Sequence, residues 1–123
     1  MRTDRGGAGK ERPLLATALA GIVLAGCATT PGPAPGSELI GRTLRMQTSR
    51  GEVTRLRFRD DGRVRAAFGG RSLDGRWRVS NRRLCFFWPR ARRECWPYRS
   101  PFERGRTRTL TSDRGNAVRV TLL

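Results

Sequence analysis

From Glu38 onward apolar and polar residues alternate in runs of five to eight positions, cut by Gly, Asn and Asp. A period of two turns one side of each run inward and the other to water, which is the pattern of antiparallel strands. Eight strands are predicted, over residues 39–48, 52–59, 63–68, 73–80, 83–88, 94–99, 106–112 and 117–122.

The alternation also sets a register. Leu44 and Met46 share a face with Thr54, Leu56 and Phe58 when Ser49-Arg50-Gly51 is a three-residue loop. Leu56 and Phe58 share one with Val64 and Ala66 when Asp60-Asp61-Gly62 is another. Each loop ends in Gly, as expected of a type I turn closed by a left-handed residue. The third hairpin is expected to set Phe68 opposite Leu73 and Val64 opposite Trp77, with Gly69 to Ser72 as its loop. The last joins residues 106–111 to Val118, Val120 and Leu122 through Ser112 to Asn116. Closing the sheet on itself is the economical way to remove its two edges. The expected fold is therefore all-β: a small eight-stranded antiparallel meander closed into a barrel over residues 38–123.

This register places arginines in rows on the outer face. Arg45 lies opposite Arg55; Arg57, Arg65 and Arg76 align across three strands; Arg59, Arg63 and Arg78 align across the same three. Directly opposed like charges weaken a sheet by something like a few tenths of a kcal/mol per pair. The rows are either a solvated face or a candidate anion-binding surface.

Ahead of the strands lies an uncharged run from Leu14 to Gly26, preceded by Arg2, Arg5, Lys10 and Arg12. The run is shorter than the roughly 20 apolar residues that cross a bilayer, so an export signal is expected rather than a permanent span. It stops at Leu24-Ala25-Gly26-Cys27, which resembles the lipobox of bacterial lipoproteins. The resemblance implies a signal peptide over residues 1–26 that is cleaved, with Cys27 carrying the lipid (diacylglycerol and, as in that family, a third acyl chain such as palmitate). Ala28, where these lipoproteins carry Asp for inner-membrane retention, favours the outer membrane. Residues 27–37 are rich in Pro and Gly and read as a tether.

Charge narrows the partners. The chain has 26 basic residues against 10 acidic ones, a formal net charge of +16, and Lys10 is its only lysine. Such a surface attracts polyanions, and Arg presents a planar fork to phosphate or carboxylate. Cys85 and Cys95 remain once Cys27 is assigned to lipid, and an even pair in an oxidising compartment is expected to form a disulfide. Free thiols or two metal ligands are the rival readings, but with no His a zinc site would lack most of its usual ligands. No metal, cofactor or catalytic residue is assigned. Without His the base and nucleophile roles would fall to carboxylates, Ser or Thr, and Asp60-Asp61 sits in a turn that favours Asp for local hydrogen bonding. A nucleic-acid partner suits the charge but not export.

Phe86, Phe87, Trp88, Trp96 and Tyr98 cluster around the two cysteines, and a small barrel is expected to use them as core and to leave little cavity. Gly75-Arg76-Trp77, followed by Leu84-Cys85-Phe86 and Glu94-Cys95-Trp96, resembles small lipocalin-like lipoproteins of proteobacteria, many of them without assigned function. Periplasmic metalloprotease inhibitors and lipoprotein inhibitors of lysozyme share that general shape; neither group's motif is found, and the positive charge would repel a basic enzyme. The expected function is a non-catalytic, lipid-anchored protein facing the periplasm. Its basic barrel binds or lies against an anionic envelope component: acidic lipid, lipopolysaccharide or peptidoglycan. The alternatives are a proteinaceous inhibitor of a secreted hydrolase and an envelope scaffold.

Overall fold

The structure is a computed structural model that describes residues 32–123. The expected signal peptide, Cys27 and the tether as far as residue 31 lie outside the described residues. A 3-10 turn, Ser37–Leu39, precedes eight strands. These are β1 (Thr43–Thr48), β2 (Val53–Phe58), β3 (Arg63–Phe68), β4 (Arg71–Ser80), β5 (Arg83–Phe87), β6 (Glu94–Pro97), β7 (Thr107–Thr111) and β8 (Ala117–Leu122).

All eight join one antiparallel sheet in the order β6-β5-β4-β3-β2-β1-β8-β7. The sheet curls until its edges meet, making a nearly closed barrel. The seam between β6 and the β7–β8 turn is sewn by Asp113, whose N–H donates to the Cys95 carbonyl at 2.9 Å while its Oδ1 accepts the Cys95 N–H at 3.0 Å. Asn116 Nδ2 adds a bond to Glu94 Oε2 at 2.7 Å. Alternating burial along β2, β3 and β8 follows the period-two pattern. The interior is filled by Leu44, Leu56, Phe58, Val64, Leu84 and Phe86 among others, and edge-on contacts link Phe58 to Trp77 and Phe86 to Trp96.

The first two hairpins have the expected register, with Leu44 opposite Leu56 and Phe58 opposite Val64, and Gly51 and Gly62 take positive φ. Cys85 and Cys95 are direct partners across β5 and β6 and form a disulfide, on the face opposite Leu84 and Trp96.

Two expectations are corrected. The first strand does not begin at residue 39. Gly36 and Gly41 both hold positive φ, so the chain coils between them and drives Leu39, fully buried, into one end of the barrel as a floor. The third hairpin turns on Gly69 and Gly70 alone, both at positive φ. Such a two-residue loop matches the twist of paired strands. Phe68 therefore pairs with Arg71, Ala66 with Leu73 and Val64 with Gly75, two residues away from the expected register. A Cβ on Gly75 would lie 2.9 Å from the Phe87 carbonyl and inside the Trp88 ring, so only Gly admits Trp88 there.

Candidate functional site

The outer wall retains part of the predicted arginine pattern. Arg45 faces Arg55 and Arg57 faces Arg65. Arg76 faces Arg63 rather than Arg65. Arg78 faces Cys85, away from Arg63, and its guanidinium lies 5.4 Å from the centre of the Phe87 ring. Arg59 follows β2 and bonds the Arg63 carbonyl through its backbone N–H.

The register shift brings Asp74 into the middle of this wall, opposite Arg65. Arg65 Nε and Nη2 reach its two carboxylate oxygens at 2.8 and 3.2 Å. The Arg65 hydrogen bonds hold the Asp74 carboxyl below its ordinary range, with Arg65, Arg59 and Arg63 adding through-space attraction. Asp74 thus offsets one row, and sequence reasoning missed it because it rested on the other register.

Beside this pair, Arg57, Arg59 and Arg65 converge with Asp60 and Gly41 on a shallow depression. Its margin includes Ile40, which is 42% exposed. Arg57 and Arg59 present cationic groups there that can contact an anion, while Arg65 is engaged by Asp74. The depression lies at the floor end, where residues 33–36 join the barrel.

The opposite end is open. Instead of the little space expected, there is a cup of about 720 Å³, within the range of small-molecule sites. Met46, Phe68, Leu73, Phe86, Trp88 and Trp96 form its walls, and Thr48, Glu52, Glu94 and Asn116 lie among its polar lining. The aromatics line the walls without filling the bore: Phe86 and Trp88 stack in parallel with centroids 5.8 Å apart.

At the floor, Tyr98 and Arg108 do work that the strand pattern did not reveal. Burial, with the nearby Glu38 carboxylate, raises the Tyr98 phenol above its ordinary value. Arg108, half-buried at the start of β7, stacks over Phe102 at 4.6 Å and donates to Ser100 and Pro101.

No protein-family model, curated protein or solved structure matches this chain.

Proposed function

We propose that the protein is a non-catalytic bacterial envelope lipoprotein, anchored through Cys27, whose basic barrel lies against an anionic envelope surface. The observation that carries this reading is the convergence of Arg57, Arg59 and Arg65 beside exposed Ile40 at the floor end. From Cys27 to Gly36 the chain spans at most about 30 Å when extended, so an anchor at residue 27 would hold this end near the bilayer. Phosphate-bearing lipid fits the guanidinium cluster better than a carboxylate polymer does, because the apolar Ile40 needs an acyl boundary to enter.

The test uses residues 28–123, which carry neither the leader nor the lipid, sedimented with vesicles of phosphatidylglycerol or phosphatidylcholine. Retention on the acidic vesicles that falls as salt rises supports the reading. Equal retention on both, or retention indifferent to salt, overturns it.

The cup favours a second reading, in which the barrel holds the apolar part of a small molecule. Titration with an environment-sensitive apolar dye, followed by Trp88 emission, tests this: saturable binding near one dye per chain supports it, and no binding removes it.

A further inference from the structure

We infer that Arg82, Arg83 and Arg99 form a discrete binding site for a phosphate-monoester or pyrophosphate group at the floor end of the barrel. The inference deepens the membrane reading by naming a headgroup chemistry, and it rests on that reading only for which molecule presents the phosphate.

The backbone points to the site first. β4 and β5 are joined by a two-residue turn, Asn81-Arg82, flanked by the pair Ser80 and Arg83. Both turn residues sit in the left-handed region, at φ 52° and 62°. Such a turn strongly prefers Asn followed by Gly, since Gly meets no Cβ penalty at the second place. Asn81 meets the preference. Arg82 does not: a long, branched-headed side chain is held where Gly would be relaxed. Strain of this kind persists where the surroundings fix it, and it concentrates at sites of function. Here the surroundings do fix it, because the Arg82 carbonyl accepts the Tyr98 N–H at 2.9 Å and so ties the turn to the chain leaving β6.

That tie brings the third cation into place. Arg99 follows Tyr98 directly, and Arg82, Arg83, Arg99 and Pro97 together line a depression of about 340 Å³ with no carboxylate in its lining. Among the described residues the ion pairs are Arg63 with Asp61, Arg65 with Asp74 and Arg106 with Glu103. None involves these three arginines. The cluster therefore differs from the outer wall, where Asp74 answers Arg65 and Asp60 joins the neighbouring depression. Three guanidinium-bearing residues with no ion pair among the described residues, gathered beside a pinned turn, match a multiply charged, oxygen-rich anion, which can accept several charge-assisted bonds at once.

The strained residue supplies a clean test. Arg82→Gly relaxes the turn and removes one guanidinium, so folding and binding should move in opposite directions. Asn81→Gly alters the same turn and leaves the arginines. Inorganic pyrophosphate is titrated into the whole chain at low salt while the backbone amides are followed by nuclear magnetic resonance. Saturable shifts confined to Arg82, Arg83, Arg99 and their neighbours are expected. Arg82→Gly should weaken affinity about tenfold, as loss of a charge-assisted bond implies, yet raise the melting midpoint by about 4 °C. Asn81→Gly should leave affinity within twofold.

Shifts spread along the outer wall without saturation overturn the proposal, as does an Arg82→Gly affinity within twofold of the parent. A fall in its melting midpoint also overturns it, since Arg82 would then be a structural residue. Vesicles of phosphatidic acid distinguish the source: lower retention of Arg82→Gly supports a lipid headgroup, and unchanged retention with weakened pyrophosphate binding supports a free phosphate compound. Pyrophosphate binding without retention on phosphatidylglycerol keeps the site and removes the membrane reading; the reverse removes the site alone.

Discussion

Tyr98 and Glu38, 60 positions apart in sequence, meet at the floor of the barrel, where the phenol oxygen lies 2.9 and 3.0 Å from the two carboxylate oxygens. The same oxygen accepts the Gly36 N–H at 2.9 Å, and Glu38 Oε2 accepts the Phe102 N–H at 2.9 Å. One tyrosine and one glutamate thereby fix together two segments that belong to no strand, the stretch before β1 and the connection from β6 to β7. Tyr98→Phe should destabilise the domain by about 1 to 3 kcal/mol, the range for losing a bond to a charged partner, as read by urea denaturation.

The same pair has a pH signature. Burial and the Glu38 carboxylate raise the phenol above its ordinary value in the folded state, so the native chain holds the proton more tightly than the unfolded chain does. The stabilisation is fully present below about pH 10 and is lost as pH rises through the raised folded value. Denaturant midpoints measured from pH 8 upward should fall in the parent above that point, and fall less steeply in Tyr98→Phe.

Gly75→Ala should displace Trp88, because the new methyl would occupy the space of the indole ring. Overpacking of this kind costs about 1 to 3 kcal/mol. The expected readouts are a lower melting midpoint and a changed near-ultraviolet circular dichroism, together with altered dye binding in the cup.

Asp113→Ala should open the seam. Its side chain accepts the Cys95 N–H, and loss of that partner should destabilise by about 1 to 2 kcal/mol. Amide exchange at Cys95 should quicken, while Leu56, in the middle of the sheet, should exchange at a rate set by global unfolding. Reducing the Cys85–Cys95 bridge, which closes a short loop, should remove on the order of 3 kcal/mol more.

Asp74→Asn leaves Arg65 without its counter-charge, so retention on phosphatidylglycerol vesicles should persist to higher salt than in the parent. Arg59→Gln should shift the same salt midpoint downward. A pair of variants moving together would contradict the assignment of this face to anion contact.

Strand positions and the first two registers were legible because alternation states which face is inward and Gly51 and Gly62 mark the loops. Alternation has a blind spot, however. Sliding a strand by two residues keeps every side chain on its face, so Phe68 opposite Leu73 and Phe68 opposite Arg71 look alike in sequence. Only the conformations of Gly69 and Gly70 decide between them, and with them whether Arg65 meets Arg76 or Asp74. The disulfide was legible from the parity of the cysteines. The cup was not, since its volume depends on how Phe86, Trp88 and Trp96 orient rather than on how many there are. Leu39 was read as the start of the first strand, because the sequence does not reveal that Gly36 and Gly41 take positive φ and coil the chain between them.

The 3-10 turn that carries Leu39 is also the first tightly held part of the barrel met by a force arriving from the N-terminal side. Gly36 is bonded to Tyr98, and its close fit against Val79 leaves no slack. A pull on the chain ahead of Gly36 would therefore be borne by Leu39 and the Gly36–Tyr98 bond before any interstrand ladder is loaded. Under tension the barrel should uncork at its base while its wall stays intact.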